Sequence, residues 1–73
     1  MRRGFILINT EPTREYEVYI NLSRVPEIIE LNPLFGEYDL IATIEVEDYE
    51  KLGKVVVDEI LSLKGVRDTK TYC

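Results

Sequence analysis

The sequence predicts an α+β sandwich in which two helices lie on one face of an antiparallel four-stranded sheet. Three observations lead there. Apolar runs at Arg3–Asn9 and Asp39–Val46 alternate or run continuously without helical spacing. Two other segments, 12–24 and 48–63, repeat apolar residues every three or four positions. Pro33 interrupts a further extended run, and a proline that cannot donate to a sheet ladder confines its strand to an edge. The order βαββαβ is the split βαβ plan of ferredoxin-like folds.

Each element follows from local chemistry. "RGFILIN" is rich in β-formers and ends at the turn-prone "NTEPT", which gives the first strand. Pro12 suits the first turn of a helix, with Glu11 and Glu15 placed where the helix dipole favours negative charge. This helix is expected over Pro12–Arg24, with Glu15 (its aliphatic part), Val18, Tyr19 and Leu22 inward and Val25 closing its end. The second strand is expected over Glu27–Phe35. In the third, Leu40, Ala42, Ile44 and Val46 form one face and Ile41, Thr43 and Glu45 the other. Asp48 can cap the second helix, whose stripe is Tyr49, Leu52, Val56, Ile60 and Leu63, and Gly65 is expected as its C′ residue. "VRDTKTYC" is the fourth strand. Right-handed crossovers put strands 1 and 3 in the middle and strands 2 and 4 at the edges.

Composition limits what such a domain can do. The chain has 73 residues, 45% hydrophobic and 32% charged, enough for one small folded unit whose own core is modest. It has one cysteine, Cys73, and no histidine, so neither a disulfide nor a Cys/His metal site can reinforce that core. Subunit contacts remain as the source of extra stability. A formal net charge of −5 gives no excess of positive charge for phosphate contacts, so no direct binding of nucleic acid is expected. No run reaches the ~18 apolar residues of a membrane span, and no membrane association is expected; Arg2-Arg3 is followed by no signal-peptide core, and a cytoplasmic location follows. Gln, His and Trp are absent while Glu, Lys, Ile and Val abound, a bias of proteins from hot habitats.

Both helices cover one face of the predicted sheet, so the other should be polar, yet both alternating sets of strand 1 are apolar. Phe5 and Leu7, or Ile6 and Ile8, together with Ile41, would form an exposed apolar patch, the usual mark of an interface. A homodimer through this face is expected, and which set of strand 1 faces it stays open. The five tyrosines, Tyr16, Tyr19, Tyr38, Tyr49 and Tyr72, are scattered and are expected in core or interface packing.

"FGEYD" carries the candidate site. Gly36 can take positive φ, and an aspartate beside a turn can accept from nearby backbone N–H groups, which alone would account for Asp39 as a brace of the hairpin. A second reading starts from a zwitterion, whose ammonium a carboxylate can face while turn N–H groups face its carboxylate. Asp39 beside the backbone of Gly36 and Glu37, with the ring of Tyr38, offers both.

"EPTREYEVYINLSRVPEI", "FGEYDLIATIEVEDYEKLG" and "LKGVRDTKTY" resemble successive blocks of the effector-binding domain of Lrp/AsnC transcription regulators, also called the regulation of amino-acid metabolism (RAM) domain. The most specific part is the Gly-x-Tyr-Asp turn, Gly36 to Asp39. The resemblance covers nearly the whole chain. It implies a βαββαβ fold, dimers through the sheets, larger assemblies of dimers, and an amino-acid effector bound where dimers meet. It also implies ligand-binding roles for Gly36, Glu37, Tyr38 and Asp39, and a role for Thr69 and Thr71 of strand 4. Regulators of the family carry an N-terminal helix-turn-helix domain, whereas this sequence begins at strand 1. Residues 1–73 are therefore expected to be a single stand-alone effector domain, without a DNA-binding domain, that senses an amino acid or joins full-length regulators.

Competing chemistry is poorly supplied. No Ser or Cys stands beside a plausible base, and enzymes or metal carriers of this topology need a Gly-rich or Cys-x-x-Cys loop where "NTEPT" stands. Glu45, Glu47, Asp48 and Glu50 cluster at a helix start, where acids serve as caps and dipole partners. No enzyme activity, cofactor or metal site is expected. Two functions remain, an amino-acid-binding regulatory module and a purely structural oligomerisation module without ligand.

Overall fold

A computed structural model describes all residues, Met1–Cys73. Strand β1 (Arg2–Thr10) leads to helix α1 (Glu15–Leu22), strands β2 (Ile28–Pro33) and β3 (Leu40–Val46), helix α2 (Tyr49–Val55), which continues as a π-helical turn over Val56–Ile60, and strand β4 (Val66–Tyr72). The sheet order is β2-β3-β1-β4 and every pair is antiparallel. Strands 1 and 3 are central and Pro33 lies on an edge strand, as the sequence predicts.

Alternation along the central strands sorts the core. Ile6 and Ile8 of β1 and Leu40, Ala42, Ile44 and Val46 of β3 pack beneath Val18 and Leu22 of α1 and Leu52, Val55, Val56 and Ile60 of the second helix. Gly4 belongs to the same inward set, and Leu52 explains why. A Cβ on Gly4 would lie 2.7 Å and 2.9 Å from the Leu52 Cδ atoms, so the helix settles on the strand only because no side chain intervenes.

Several boundaries and faces differ from expectation. Helix α1 starts at Glu15 rather than Pro12, because Pro12 and Thr13 form a tight turn in which the Arg14 N–H donates to the Glu11 carbonyl at 3.0 Å. Thr13 adopts φ 70°, which cannot continue into a right-handed helix. The short helix buries a narrower stripe than predicted: Glu15 and Tyr19 face solvent, and only Val18 and Leu22 are buried, with Val25 just beyond. Tyr16, Tyr49 and Tyr72 are exposed in the single chain, which excludes the core part of the expectation for them. Strand β2 is shorter than Glu27–Phe35, because Leu34 and Phe35 enter the connection to β3, and a bulge lies between Ile28 and Glu30.

Asp48 caps α2 as expected, its carboxylate accepting from the Lys51 N–H at 2.8 Å. The turn after Val55 widens, with the Leu61 N–H donating to the Val56 carbonyl five residues back. Val55, Val56 and Ile60 are thereby all buried along one segment. The helix ends at Ile60, so Gly65 is not its C′ residue. Gly65 instead ends the following turn at φ 97°, where an added Cβ would lie 2.9 Å from Val18 and 3.1 Å from Arg14, and its carbonyl accepts from the Glu11 N–H at 2.7 Å.

The Gly4–Leu52 contact is directly testable. Gly4→Ala is expected to destabilise the domain by about 1–3 kcal/mol, the usual cost of overfilling a packed site, with the loss read from chemical denaturation midpoints at unchanged slope.

Candidate functional site

The connection from β2 to β3 projects from one end of the sheet and is tied down by a single residue. Asp39 uses its main chain twice: its N–H donates to the Ile8 carbonyl at 2.9 Å and its carbonyl accepts from the Leu34 N–H at 2.8 Å. Its side chain adds two more bonds, with Oδ2 accepting from the Thr10 N–H at 2.8 Å and from the Thr10 hydroxyl at 3.0 Å. The reason lies in the register. The β1–β3 ladder ends at Ile8 opposite Leu40, so Thr10 extends past the start of β3 with no main-chain partner there. Thr10 is buried, and an unpaired N–H would be costly. The Asp39 carboxylate takes the place of the missing strand.

Between Leu34 and Asp39 the chain is free of the ladder. Phe35, Gly36 and Glu37 are exposed, Tyr38 is half-buried, and no atom lies within 4 Å of where a Gly36 Cβ would stand. The backbone of Gly36 and Glu37 is therefore presented outward on a braced base.

Strand β4 presents two faces. Thr69 and Thr71 pair with Ile8 and Ile6, so both sit on the helix side of the sheet, Thr69 half-buried and Thr71 exposed. The β4 residues on the open face are Asp68, Lys70 and Tyr72, opposite Asn9, Leu7 and Phe5. Asn9 Nδ2 donates to Asp68 Oδ1 at 3.1 Å. Lys70 Nζ lies 5.6 Å from the Tyr72 ring centroid. The Lys70 pKa is raised, first by hydrogen bonding to the Tyr72 phenol and then by the charges of Tyr72, Tyr38 and Glu37. Lys70 stands on the open face of β4, a position that the alternation of β4 could have suggested and that the sequence reading missed.

The open face carries Phe5, Leu7 and Ile41 in its centre, and Arg3 and Glu45 pair at 2.9 Å toward one end. Phe5 is 44% exposed, and Leu7 and Ile41 are partly exposed. Ile6 and Ile8, expected among the interface candidates, are fully buried under the helices and do not belong to this face. No three His, Cys, Asp or Glu side chains converge in a manner that could hold a metal ion, and no helix is long and apolar enough to cross a membrane.

Two helices on one side of a 2-3-1-4 antiparallel sheet, with an open apolar face and an outward hairpin turn, define a ferredoxin-like domain. The chain belongs to the Lrp/AsnC ligand-binding-domain family, whose model matches residues 3–73. The HTH-type transcriptional regulator FL11 of Pyrococcus horikoshii is 36% identical over 68 residues, covering 93% of this chain and 44% of that protein. This chain spans about half the length of the regulators it matches. The crystal structure of TTHA0845 from Thermus thermophilus superposes with a TM-score of 0.94 at 35% identity, covering 99% of this chain and 90% of that one. A Neisseria meningitidis transcriptional regulator solved in complex with L-Met has the same fold, with a TM-score of 0.86 at 24% identity over 96% of this chain and 47% of that one.

The brace at Asp39 predicts an ordered pair of losses. Asp39→Ala strands both Thr10 donors in a buried place and is expected to cost about 1–3 kcal/mol, whereas Thr10→Val removes only the hydroxyl and is expected to cost about 1 kcal/mol. Denaturation of the two variants under one buffer checks the order.

Proposed function

We propose that the chain is an amino-acid-binding regulatory module that works as an oligomer and acts on transcription through a partner regulator in the cytoplasm. The observation that carries this reading is the turn itself. Asp39 fixes both ends of the connection, and the segment from Gly36 to Tyr38 is left facing outward with main-chain N–H groups available to a carboxylate. One oxygen of the Asp39 carboxylate holds Thr10, and the other is available to an ammonium. The ring of Tyr38 supplies an amphipathic wall. Family membership supports the same reading, and the L-Met complex of the meningococcal regulator is an instance of an amino acid bound by a protein of this fold. Thr69, half-buried on the helix side of β4, and Thr71, more exposed, are the further contacts we assign to a ligand shared with a neighbouring subunit.

Asp39→Asn tests the turn. Asn preserves an acceptor for Thr10 and the shape of the connection while removing the charge, so amino-acid binding should weaken by about 1.5–3 kcal/mol, the range of hydrogen bonds to charged groups. Isothermal titration against the twenty amino acids supplies the measurement. Equal affinity in wild type and variant would confine Asp39 to its bracing role, and a chain that binds no amino acid would leave an assembly module.

Oligomerisation is assigned to the open face. Phe5, Leu7 and Ile41 stand between polar ends, and pairing two such faces would remove them from water in both copies. Ile41→Lys places a charge in the centre of that contact and should dissociate the dimer at a cost to association of several kcal/mol, while leaving the monomer fold intact. Light scattering reads both states, and a wild-type chain that is monomeric at micromolar concentration would overturn the assignment.

A further inference from the structure

On the helix side of the sheet, away from the face assigned to dimerisation, a cleft of roughly 360 Å3 opens between α1 and the end of β2. This volume is within the ~300–1,000 Å3 range of small-molecule sites. Its walls are the rings of Tyr16, Tyr19 and Phe35, the aliphatic Leu34, and two carboxylates, Glu15 from the first turn of α1 and Asp39 from the hairpin. No lysine or arginine lines it. The rings are largely open to solvent, Tyr16 78% and Phe35 99% exposed, and are free to close on a ligand. Each carboxylate is steadied through one oxygen, Glu15 Oε1 by the Thr13 N–H at 3.1 Å and Asp39 Oδ2 by Thr10, so each keeps a second oxygen. Arg14, the nearest cation in sequence, is committed to Glu17 at 3.2 Å.

We propose that this cleft binds a linear aliphatic diamine or longer polyamine, its ammonium groups facing Glu15 and Asp39 and its methylene stem lying along the aromatic rings. Aromatic faces attract ammonium groups, and carboxylates complete the charge. The same lining disfavours a free amino acid, which would bring its own carboxylate against two others with no cation to receive it. The cleft does without the turn N–H groups but shares with the turn site the free oxygen of Asp39, so a diamine and an amino acid would compete for that group.

The test is titration of the protein with 1,5-diaminopentane and spermidine at near-physiological salt, followed by calorimetry and by the NMR signals of Tyr16, Tyr19 and Phe35. Saturable binding that moves these three residues is expected, with Tyr16→Ala and Glu15→Gln each weakening it by about fivefold or more. Glu59→Gln changes the net charge equally at an exposed site on the other helix and should leave the affinity unchanged. An equal loss in Glu59→Gln, or binding that does not saturate, would reduce the effect to diffuse attraction by an acidic protein and overturn the proposal. Lysine moving the Tyr16, Tyr19 and Phe35 signals at lower concentration than the diamine would overturn it too. Amino acids that bind while the diamine does not would overturn the cleft and leave the proposed turn site standing; a diamine that binds while no amino acid does would support the cleft and remove the turn site.

Discussion

Two short helices can cover only one face of a four-stranded sheet, and this limit governs the rest of the molecule. Every buried apolar residue but one is placed by it. Ile6 and Ile8 turn toward the helices, so Phe5 and Leu7 must turn away, and β3 repeats the division with Ile44 inward and Ile41 outward. Val25, which closes the end of α1, is the exception, since it belongs to neither helix nor strand. With 13 buried hydrophobic residues forming the whole core, the chain has little apolar area in reserve. A domain of this size gains stability most readily by burying the face it leaves open. The proposed assembly and the fold would therefore draw on the same strands.

The second constraint is the mismatch between β1 and β3. Because β1 outruns its neighbour, the sheet would end in unpaired donors at Thr10, and a carboxylate is the group best able to accept two of them at once. Placing that carboxylate at the mouth of the β2–β3 connection has a consequence for function. The end of the hairpin is rigid at its base and free beyond it, which is what an outward set of N–H donors needs if it is to bind without first being ordered. A structural role and the proposed binding role for Asp39 are thus not alternatives in chemistry, since the brace uses one oxygen and leaves the other.

The topology was legible because it depends on period and punctuation. Alternation in Asp39–Val46, the edge signal of Pro33 and the cap at Asp48 each act locally, and the structure follows them. Helix ends were less legible. Pro12 reads as a helix start by propensity, but the left-handed Thr13 beside it is set by the return of Gly65 against Glu11, a contact between residues far apart in sequence. The buried faces of α1 were over-read for a related reason: Tyr19 fits the stripe by spacing, yet an eight-residue helix reaches the sheet with only two of its side chains. The π-helical turn has no signature stronger than its β-branched valines.

For the candidate site, the sequence identified the residues better than their directions. Asp39 and Gly36 were legible as turn chemistry, but that Asp39 reaches Thr10 depends on where the ladder stops, a matter of register between two strands 29 residues apart at that bond. The same holds across β4. Thr69 and Thr71 alternate with Lys70 and Tyr72, and only the pairing of Ile8 with Thr69 shows that the threonines share the helix side with the core while Lys70 stands on the open face beside Leu7. A one-residue slip would exchange these sets. The two faces then differ in kind. The open face combines apolar residues with paired charges, Arg3 with Glu45, and suits a flat contact with another copy. The helix side near the hairpin combines aromatic rings with unopposed carboxylates and suits a small cation. The hairpin turn stands at the boundary between them, so a ligand there would touch both the subunit contact and the brace that ends β1.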